Sequence, residues 1–258
     1  MEVGRSGGVL SGKNLSALIG FIDLLINNLP LNSITEVQGV NQTLAYSHYA
    51  VALLKNMKTF FEERKHLDEI QLSDYQGEFA RREAEYFNPF PINDEWEHCA
   101  GSTPQFRGYT CGLWTLFHAI TVQAYKNGFG REDFEPLEAL YAIRDWVSEF
   151  FGCKYCRDHF LKMTMKTFPI ETHVDAPEDV YVYLWKAHNI VNARLRSRDT
   201  EDPEFPKYQF PPHFLCPRCS KDSVVDEDQV KHFLVDYYSF IKPYRKTSMS
   251  PTAFRRRL

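Results

Sequence analysis

The residues of this sequence that could carry out chemistry are its cysteines, because four of the six form two pairs with the spacing C-x-x-C. The first pair, Cys153 and Cys156 in FFGCKYCRDHF, follows a glycine that is expected to cap a new helix, Gly152. The free N–H groups and partial positive charge of a helix N-terminus favour a thiolate, which is the attacking form in disulfide exchange. The spacing and position of this pair therefore predict a redox-active dithiol.

The second pair, Cys216 and Cys219 in CPRC, leaves a metal site open as an alternative. Together with Cys153 and Cys156 it could form a four-thiolate zinc site, although a long helical segment separates the pairs and compact zinc ribbons keep theirs closer. A thioredoxin-like site requires a βαβ context that the sequence does not show. On spacing alone, a zinc-stabilised helical interaction module is the alternative to a redox enzyme.

The remaining cysteines, Cys99 and Cys111, flank a loop that contains glycine, proline and serine. A local disulfide across this loop is the simplest interpretation, and it would fasten the start of the next helix. Two unpaired buried thiols are the alternative. No cysteine precedes Cys99, so the chemistry is expected in the second part of the chain.

The segments that must position these cysteines have helical rather than strand periodicity, so the predicted fold class is all-α. Apolar residues recur at helical spacing over residues 15–29 and 46–61, and helical character continues to about residue 87. Caps, first-turn prolines and terminal glycines delimit the later helices, with Thr110 expected to cap the first of them. These helices are predicted over residues 110–128, 131–152, 153–168, 176–199 and 226–241.

Composition divides the chain into three parts. Residues 1–87 are predicted to form a helical module without cysteine, and FNPFPIND, with its two prolines, is predicted to be a linker. Residues 88–245 carry the cysteines and are predicted to form the second unit. Residues 246–258 end in a short basic tail that is expected to be solvated.

Charge and hydropathy exclude several classes of protein. The net charge is −4 without a long basic stripe, so nucleic acid is not an expected partner. No stretch is apolar enough to span a bilayer, and the N-terminus lacks the apolar core of a signal peptide. Triplets at Asn14 and Asn41 fit the glycosylation pattern and favour secretion. The chain is therefore expected to be either cytosolic or an internal piece of a longer secreted protein.

Two of the predicted helices carry aromatic and polar residues that a simple amphipathic helix would not need. One face of the first holds a tryptophan and a histidine, and one face of the fourth holds a tryptophan, a histidine and two asparagines. Indoles stack on planar rings, while imidazoles and amides satisfy polar edges. The presence of these residue types beside a dithiol predicts a pocket for a flat polar cofactor. These residues are Trp114, His118, Trp185, His188, Asn189 and Asn192.

Four stretches of the sequence, in order, closely resemble the FAD-binding Erv/ALR domain of quiescin sulfhydryl oxidases: FRGYTCGLWTLFHAITVQA, FFGCKYCRDHF, WKAHNIVNARL and FPKYQFPPHFLCPRC. Together they cover most of residues 99–219, and their joint specificity is high. The resemblance implies an FAD-binding four-helix bundle with an extra C-terminal helix, so a G-x-G-x-x-G fingerprint is not expected. It also implies that residues 1–87 are a degenerate helical copy of the bundle.

The resemblance assigns roles to the dithiol and to the cofactor contacts. It implies that Cys156 lies nearer the flavin and can donate charge to it, and that Cys153 is the interchange thiol that meets incoming electrons. The match at Phe210 stands where a tryptophan is expected. The positions that match FAD-contacting residues are Arg107, Trp114, His118, Tyr155, His159, Trp185, His188, Asn189, Val191, Asn192, Lys207 and Phe210.

The other four cysteines have secondary roles in this resemblance. Cys99 and Cys111 match a structural disulfide. Cys216 and Cys219 match a distal C-x-x-C pair, whose necessity does not follow from the residues. No metal is implied by the resemblance.

The implied reaction is FAD-dependent oxidation of dithiols to disulfides, with reduction of O2 to H2O2. Oxidation in this direction suits the secretory pathway, in the Golgi or the endoplasmic reticulum, or the extracellular space. Complete members of the family carry upstream thioredoxin-like domains that deliver electrons from protein substrates, and since none is present here the chain is expected to be a fragment. The helical copy would cover the apolar face that relatives use to dimerise, so a monomer is expected.

Overall fold

The computed structural model describes residues 2–5, 7–31, 43–90, 96, 98–221 and 224–239. Within them the regular secondary structure is helical apart from two short two-stranded sheets, which confirms the all-α fold class. Asn41, the second half of the predicted linker and the basic tail lie outside the described residues. The helices are α1 (Gly12–Asn28), α2 (Thr43–Glu63), α3 (Leu72–Glu85), α4 (Gly108–Gly128), α5 (Pro136–Phe150), α6 (Lys154–Lys162), α7 (Asp179–Leu195) and α8 (Glu227–Ser239).

The N-terminal module, residues 1–87, contains α1 to α3 and one antiparallel pair of strands. The strands are β1 (Val9–Ser11) and β2 (Glu69–Gln71), in which Leu10 lies opposite Ile70. Both of these side chains are buried, so the pair adds to the apolar core. Strands of three residues are too short to show alternation in the sequence, which is why the periodicity did not predict them.

Helix α1 joins the N-terminal module to the rest of the chain through a shared core. The ring of Phe21 stacks on Trp146 of α5 with centroids 5.0 Å apart, and it meets Phe117 of α4 edge-on at 6.2 Å. Leu18 and Ile22 are buried nearby in the same core. The apolar core is therefore continuous across the predicted boundary at residue 87. That this module is a degenerate copy of the bundle stays a prediction.

The helix starts differ from those predicted where local packing determines them. Arg107, rather than Thr110, is the cap residue of α4, and it adopts a left-handed φ of 59°. The N–H of Gly108 donates to the carbonyl of Cys99 at 2.9 Å, which fixes this start two residues early. Helix α5 begins at Pro136 instead of residue 131, because the fixed φ of proline suits a first turn.

Helix α6 carries the first C-x-x-C pair at its N-terminus. Its cap residue is Cys153, not Gly152 as predicted, because the sulfur of Cys153 accepts the N–H of Cys156 at 3.2 Å. A side-chain acceptor for this N–H is what defines a cap. The helix continues into a π-helical turn over Met163–Thr167 and ends before Pro169.

A non-helical stretch, residues 196–216, follows α7 and is called the return segment here. Hydrogen bonds tie Tyr208 to Asn192 and Phe210 to Asn189, so it runs antiparallel to α7. It is followed by a short helical turn, Pro217–Cys219, and by the paired strands β3 (Ser220–Lys221) and β4 (Val224–Val225), which lead into α8. No helix in the described part of the chain has the length and apolar character required to cross a membrane.

Candidate functional site

The first C-x-x-C pair closes a disulfide at the N-terminus of α6, in the redox turn (residues 151–156). The Cα atoms of Cys153 and Cys156 are 5.3 Å apart. Cys153 is exposed, whereas Cys156 is half-buried and packs against the apolar core. Disulfide exchange requires access to the attacked sulfur. The geometry therefore makes Cys153 the sulfur that an incoming thiolate can reach.

Behind the disulfide lies a cavity of about 900 Å³. Helices α4 to α8 and the return segment supply its walls, and both Cys153 and Cys156 line it. Cofactor sites are mostly apolar cavities of roughly this size that contain a few fixed polar groups. The cavity can therefore hold a large planar ligand in contact with the disulfide.

Four aromatic side chains form a stack on one wall of the cavity, in which His118 and Tyr238 are buried and Trp114 and His188 are half-buried. The indole of Trp114 lies parallel to the imidazole of His188, with centroids 4.0 Å apart and an interplanar angle of 3°. His118 stacks on Tyr238 of α8 at 4.7 Å. His118 Nε2 and His188 Nδ1 are 2.9 Å apart, so one ring donates a hydrogen bond to the other. The histidines are thus fixed in position by both stacking and hydrogen bonding.

Burial keeps these two histidines neutral at physiological pH. Burial lowers the pKa of His118 to about 3. The pKa of His188 lies well below its usual value because of burial, and the neighbouring His118 and Lys207 lower it further. Neutral imidazoles offer one donor and one acceptor nitrogen each. The pair can therefore satisfy its own hydrogen bond and still present a polar atom to a ligand.

Arg107 is a partly buried cation that also lines the cavity. Its guanidinium donates to the carbonyls of Ala100 and His98, at 3.2 Å each, and lies 4.1 Å over the ring of Phe205. Burial lowers the pKa of Arg107, which the charge of Asp202 partly offsets. The side chain is therefore oriented by the protein before any ligand binds.

Lys207 is a second partly buried cation, placed on the return segment. Burial lowers the pKa of Lys207, and the charge of Arg107 lowers it further against the influence of Glu201 and Asp202. Two like charges near the same cavity repel each other, and burial makes this repulsion costly. The arrangement favours an anionic ligand that would lie between both groups.

The structure places most of the predicted cofactor-contact residues around the cavity. Trp185 and Asn189 are the exceptions. The indole N–H of Trp185 donates to the carbonyl of Phe210. The amide of Asn189 donates to the same carbonyl at 2.8 Å and accepts the N–H of Phe210 at 2.7 Å. These two side chains hold the return segment rather than line the cavity. The predicted residues that do line it are Arg107, Trp114, His118, Tyr155, His159, His188, Val191, Asn192, Lys207 and Phe210.

Several residues of the cavity wall were not predicted from the sequence. Tyr238 comes from α8, where its spacing of four residues from the apolar Leu234 was the only available signal. Phe205 lies beside the predicted Lys207 and supports Arg107. Cys111 also lines the cavity, and its sulfur lies 3.8 Å from the guanidinium of Arg107.

The other cysteines form two separate disulfides, Cys99–Cys111 and Cys216–Cys219. The second of these is outside the cavity wall. The alternative four-thiolate site is contradicted, since each C-x-x-C pair is bonded within itself. Among the described residues, no group of three or more His, Cys, Asp or Glu side chains is arranged to hold a metal ion.

Comparison with known proteins finds relatives that match large parts of the chain. The model of the Erv1 / Alr family matches residues 111–211. Sulfhydryl oxidase 1 of Gallus gallus is 45% identical over 58% of the chain, and that of Homo sapiens is 33% identical over 93%. The chain spans 20% and 30% of the lengths of these two relatives. The solved structure titled "Sulfhydryl Oxidase Fragment of Human QSOX1" matches with a TM-score of 0.75 and 32% identity, over 92% of this chain and 88% of that one.

Proposed function

Because the chain belongs to the sulfhydryl oxidase family that contains the Erv1/Alr domain, we propose that it oxidises pairs of thiols to disulfides with FAD as cofactor and O2 as final electron acceptor. The observation that carries this proposal is the position of the Cys153–Cys156 disulfide, with one sulfur exposed and both lining a cavity of about 900 Å³. An exchangeable disulfide that contacts a cofactor-sized cavity can pass electrons from solvent to a bound group.

The residues around the cavity fit FAD by the chemistry of their donors. The parallel Trp114 and His188 rings offer a stacking surface for a planar ring system. The neutral histidines can bond to its polar edges. Arg107 and Lys207 are partly buried cations whose mutual repulsion a diphosphate would relieve. Stacking, polar and anionic parts of the cofactor thus each have a matching set of residues.

The first half of the proposed reaction is disulfide exchange at the redox turn. A substrate thiolate attacks the exposed sulfur of Cys153, the Cys153–Cys156 bond breaks, and Cys156 leaves as a thiolate. A second substrate thiolate then attacks the substrate sulfur of this mixed disulfide. The substrate leaves as a disulfide, Cys153 becomes a thiolate, and two electrons are held by the cysteine pair.

The second half returns the dithiol to the disulfide. A bound FAD would supply two-electron acceptance from the dithiol and delivery of these electrons to O2, giving H2O2. The chain's own contribution is to keep the half-buried Cys156 facing the cavity and to hold the ring stack in place through Trp114 and His188. The N–H of Cys156, which donates to Cys153 in the disulfide form, remains at the helix N-terminus to stabilise a thiolate on Cys153.

The substrates and the location are part of the same proposal. Dithiol-containing proteins and small dithiols are the proposed substrates, with thioredoxin-like domains as the usual electron donors. Small dithiols should be oxidised faster than reduced proteins in the absence of such domains. We place the activity in the secretory pathway or outside the cell, where disulfides persist, and we expect the chain to be a monomer.

The test is oxygen uptake by the purified protein supplied with dithiothreitol. The wild type should show flavin absorbance, consume O2 and release H2O2. Cys153→Ser and Cys156→Ser should each abolish uptake while the flavin stays bound. The matched control is the double variant Cys216→Ser/Cys219→Ser, which removes the C-x-x-C disulfide that lies outside the cavity wall and should retain uptake per bound flavin. Full turnover in either single variant, or one zinc and no flavin per chain, would disprove the proposal.

A further inference from the structure

An ion pair from the N-terminal module lies directly on the redox turn. The guanidinium of Arg5 donates to the carboxylate of Glu2 at 2.7 Å. A Cβ atom added at Gly152 would lie 1.5 Å from Nη1 of Arg5 and 3.1 Å from Oε2 of Glu2. Both charged groups therefore contact the residue that immediately precedes Cys153, and a side chain at this position would displace the end of the Arg5 side chain.

The N-terminal module holds this ion pair in place. The Arg5 N–H donates to the Glu2 carbonyl at 3.0 Å in the turn Val3–Arg5. The Glu2 side chain is 12% exposed and the Arg5 side chain 59%, so the carboxylate is the inner and the guanidinium the outer partner. The inner carboxylate also interacts with Tyr109 of α4, and after burial it is the main cause that raises the pKa of this tyrosine.

The other charges at the redox turn come mainly from α6 itself. Lys154 is paired with Asp158 at 2.6 Å and adds little net charge. Arg157 donates to the carbonyl of Phe151 at 3.4 Å, on the same turn that Arg5 contacts. The titratable and charged groups that face this turn or flank it are Glu2, Arg5, Tyr109, Lys154, Arg157, Asp158, His159 and Arg194.

We propose that Glu2 and Arg5 are positioning residues that control the fraction of Cys153 present as thiolate. Arg5 stabilises this thiolate, and Glu2 opposes the effect of Arg5. The inference rests on the proposed function, in which Cys153 is the thiol that exchanges with substrate. It extends that function by assigning part of the control over this thiol to residues about 150 positions away in the N-terminal module. The fraction of Cys153 present as thiolate determines how fast it reacts in exchange.

The experiment isolates the Cys153 thiol in a Cys156→Ser background. Mass spectrometry follows carbamidomethylation of the Cys153 peptide by iodoacetamide between pH 5 and 10, and the midpoint of the rate profile reports thiolate formation. Arg5→Gln leaves the Glu2 carboxylate unpaired and should raise the midpoint by about half a pH unit. Glu2→Gln leaves the guanidinium unpaired and should lower it by about the same amount.

Three further variants distinguish a charge effect from a structural one. Arg5→Lys keeps the charge and should stay close to the parent midpoint, as should the double variant Glu2→Gln/Arg5→Gln. Arg81→Gln removes one cation from a comparable ion pair with Glu78 on α3, at 2.6 Å, and should not shift the midpoint. Shifts of the same sign in Glu2→Gln and Arg5→Gln, or no shift in either, would overturn the inference. The measurement uses neither oxygen nor FAD, so its outcome is separate from a failure of the oxidase proposal.

Discussion

Replacing Asn189 with alanine would remove the amide that fixes the backbone of Phe210 against α7. Two hydrogen bonds are lost, from Nδ2 to the Phe210 carbonyl at 2.8 Å and from the Phe210 N–H to Oδ1 at 2.7 Å. The carbonyl keeps its bond from Trp185, whereas the N–H loses its partner. The variant therefore tests whether side chains outside the cavity build the wall that Lys207 and Phe210 form.

The expected loss of stability follows from this count. Each hydrogen bond contributes about 1 kcal/mol to the free energy of unfolding, so the substitution should cost about 2 kcal/mol. For a chain of this length, 1 kcal/mol corresponds to roughly 2–4 °C, so Tm should fall by about 4–8 °C. FAD affinity should fall as well, because the return segment carries Lys207, Phe210 and several other residues that line the cavity.

The assay is thermal unfolding monitored by circular dichroism, with and without added FAD. Gln209→Ala is the matched control, since its Nε2 makes one exposed hydrogen bond to the Asn189 carbonyl at 3.3 Å and its loss should change Tm by less than about 2 °C. If Asn189→Ala were as stable as Gln209→Ala and bound FAD equally well, the positioning role assigned to Asn189 would be wrong.

Three more perturbations have expected outcomes. The pKa of His118 is lowered to about 3 by burial, so between pH 6.5 and 3 the unfolded chain binds a proton that the folded chain excludes, and burial lowers the pKa of His188 in the same direction. Urea unfolding should therefore give a lower free energy of unfolding at pH 5 than at pH 7, with a loss of about 2 kcal/mol from His118 and a further loss from His188. Equal stability at the two pH values would contradict the assignment of neutral histidines. Phe21→Ala should lower the free energy of unfolding by about 3–5 kcal/mol in urea, because it removes the ring that stacks on Trp146 between the N-terminal module and α5. Separate unfolding transitions for the two parts of the wild-type chain would argue against a shared core. Lys207→Gln should weaken FAD binding roughly tenfold in a titration without lowering the Tm of the FAD-free protein, because burial disfavours the charged lysine; unchanged FAD affinity would remove Lys207 from the anion site.

The parts of the fold that follow from local chemistry could be predicted from the sequence. The spacing of Cys153 and Cys156, with a glycine before them and helical periodicity after them, was sufficient to predict a dithiol at a helix start. Periodicity also placed Trp114 and His118 on one face of α4, where the structure has them at 6.1 Å between ring centroids. Such features depend on neighbours within one or two helical turns.

The features that the sequence did not predict depend on contacts between distant segments. Trp185 and Asn189 share a helix with His188, but the return segment packs against their side of α7. Both side chains donate hydrogen bonds to the backbone carbonyl of Phe210 in that segment. Residue spacing cannot show which element will cover a given face. The approach of Arg5 to Gly152 joins residues 147 positions apart, and the sequence pattern, which assigned this glycine to a cap, gave no sign of the contact.

The central claim is that Cys153 and Cys156 carry electrons to a flavin in the adjacent cavity. The most direct measurement is the visible absorbance of the purified protein during anaerobic addition of dithiothreitol, compared with Cys153→Ser and Cys156→Ser. We predict rapid loss of the flavin absorbance in the wild type and no loss on the same timescale in either variant. Bleaching at the wild-type rate in both variants, or a protein without flavin absorbance, would contradict the claim.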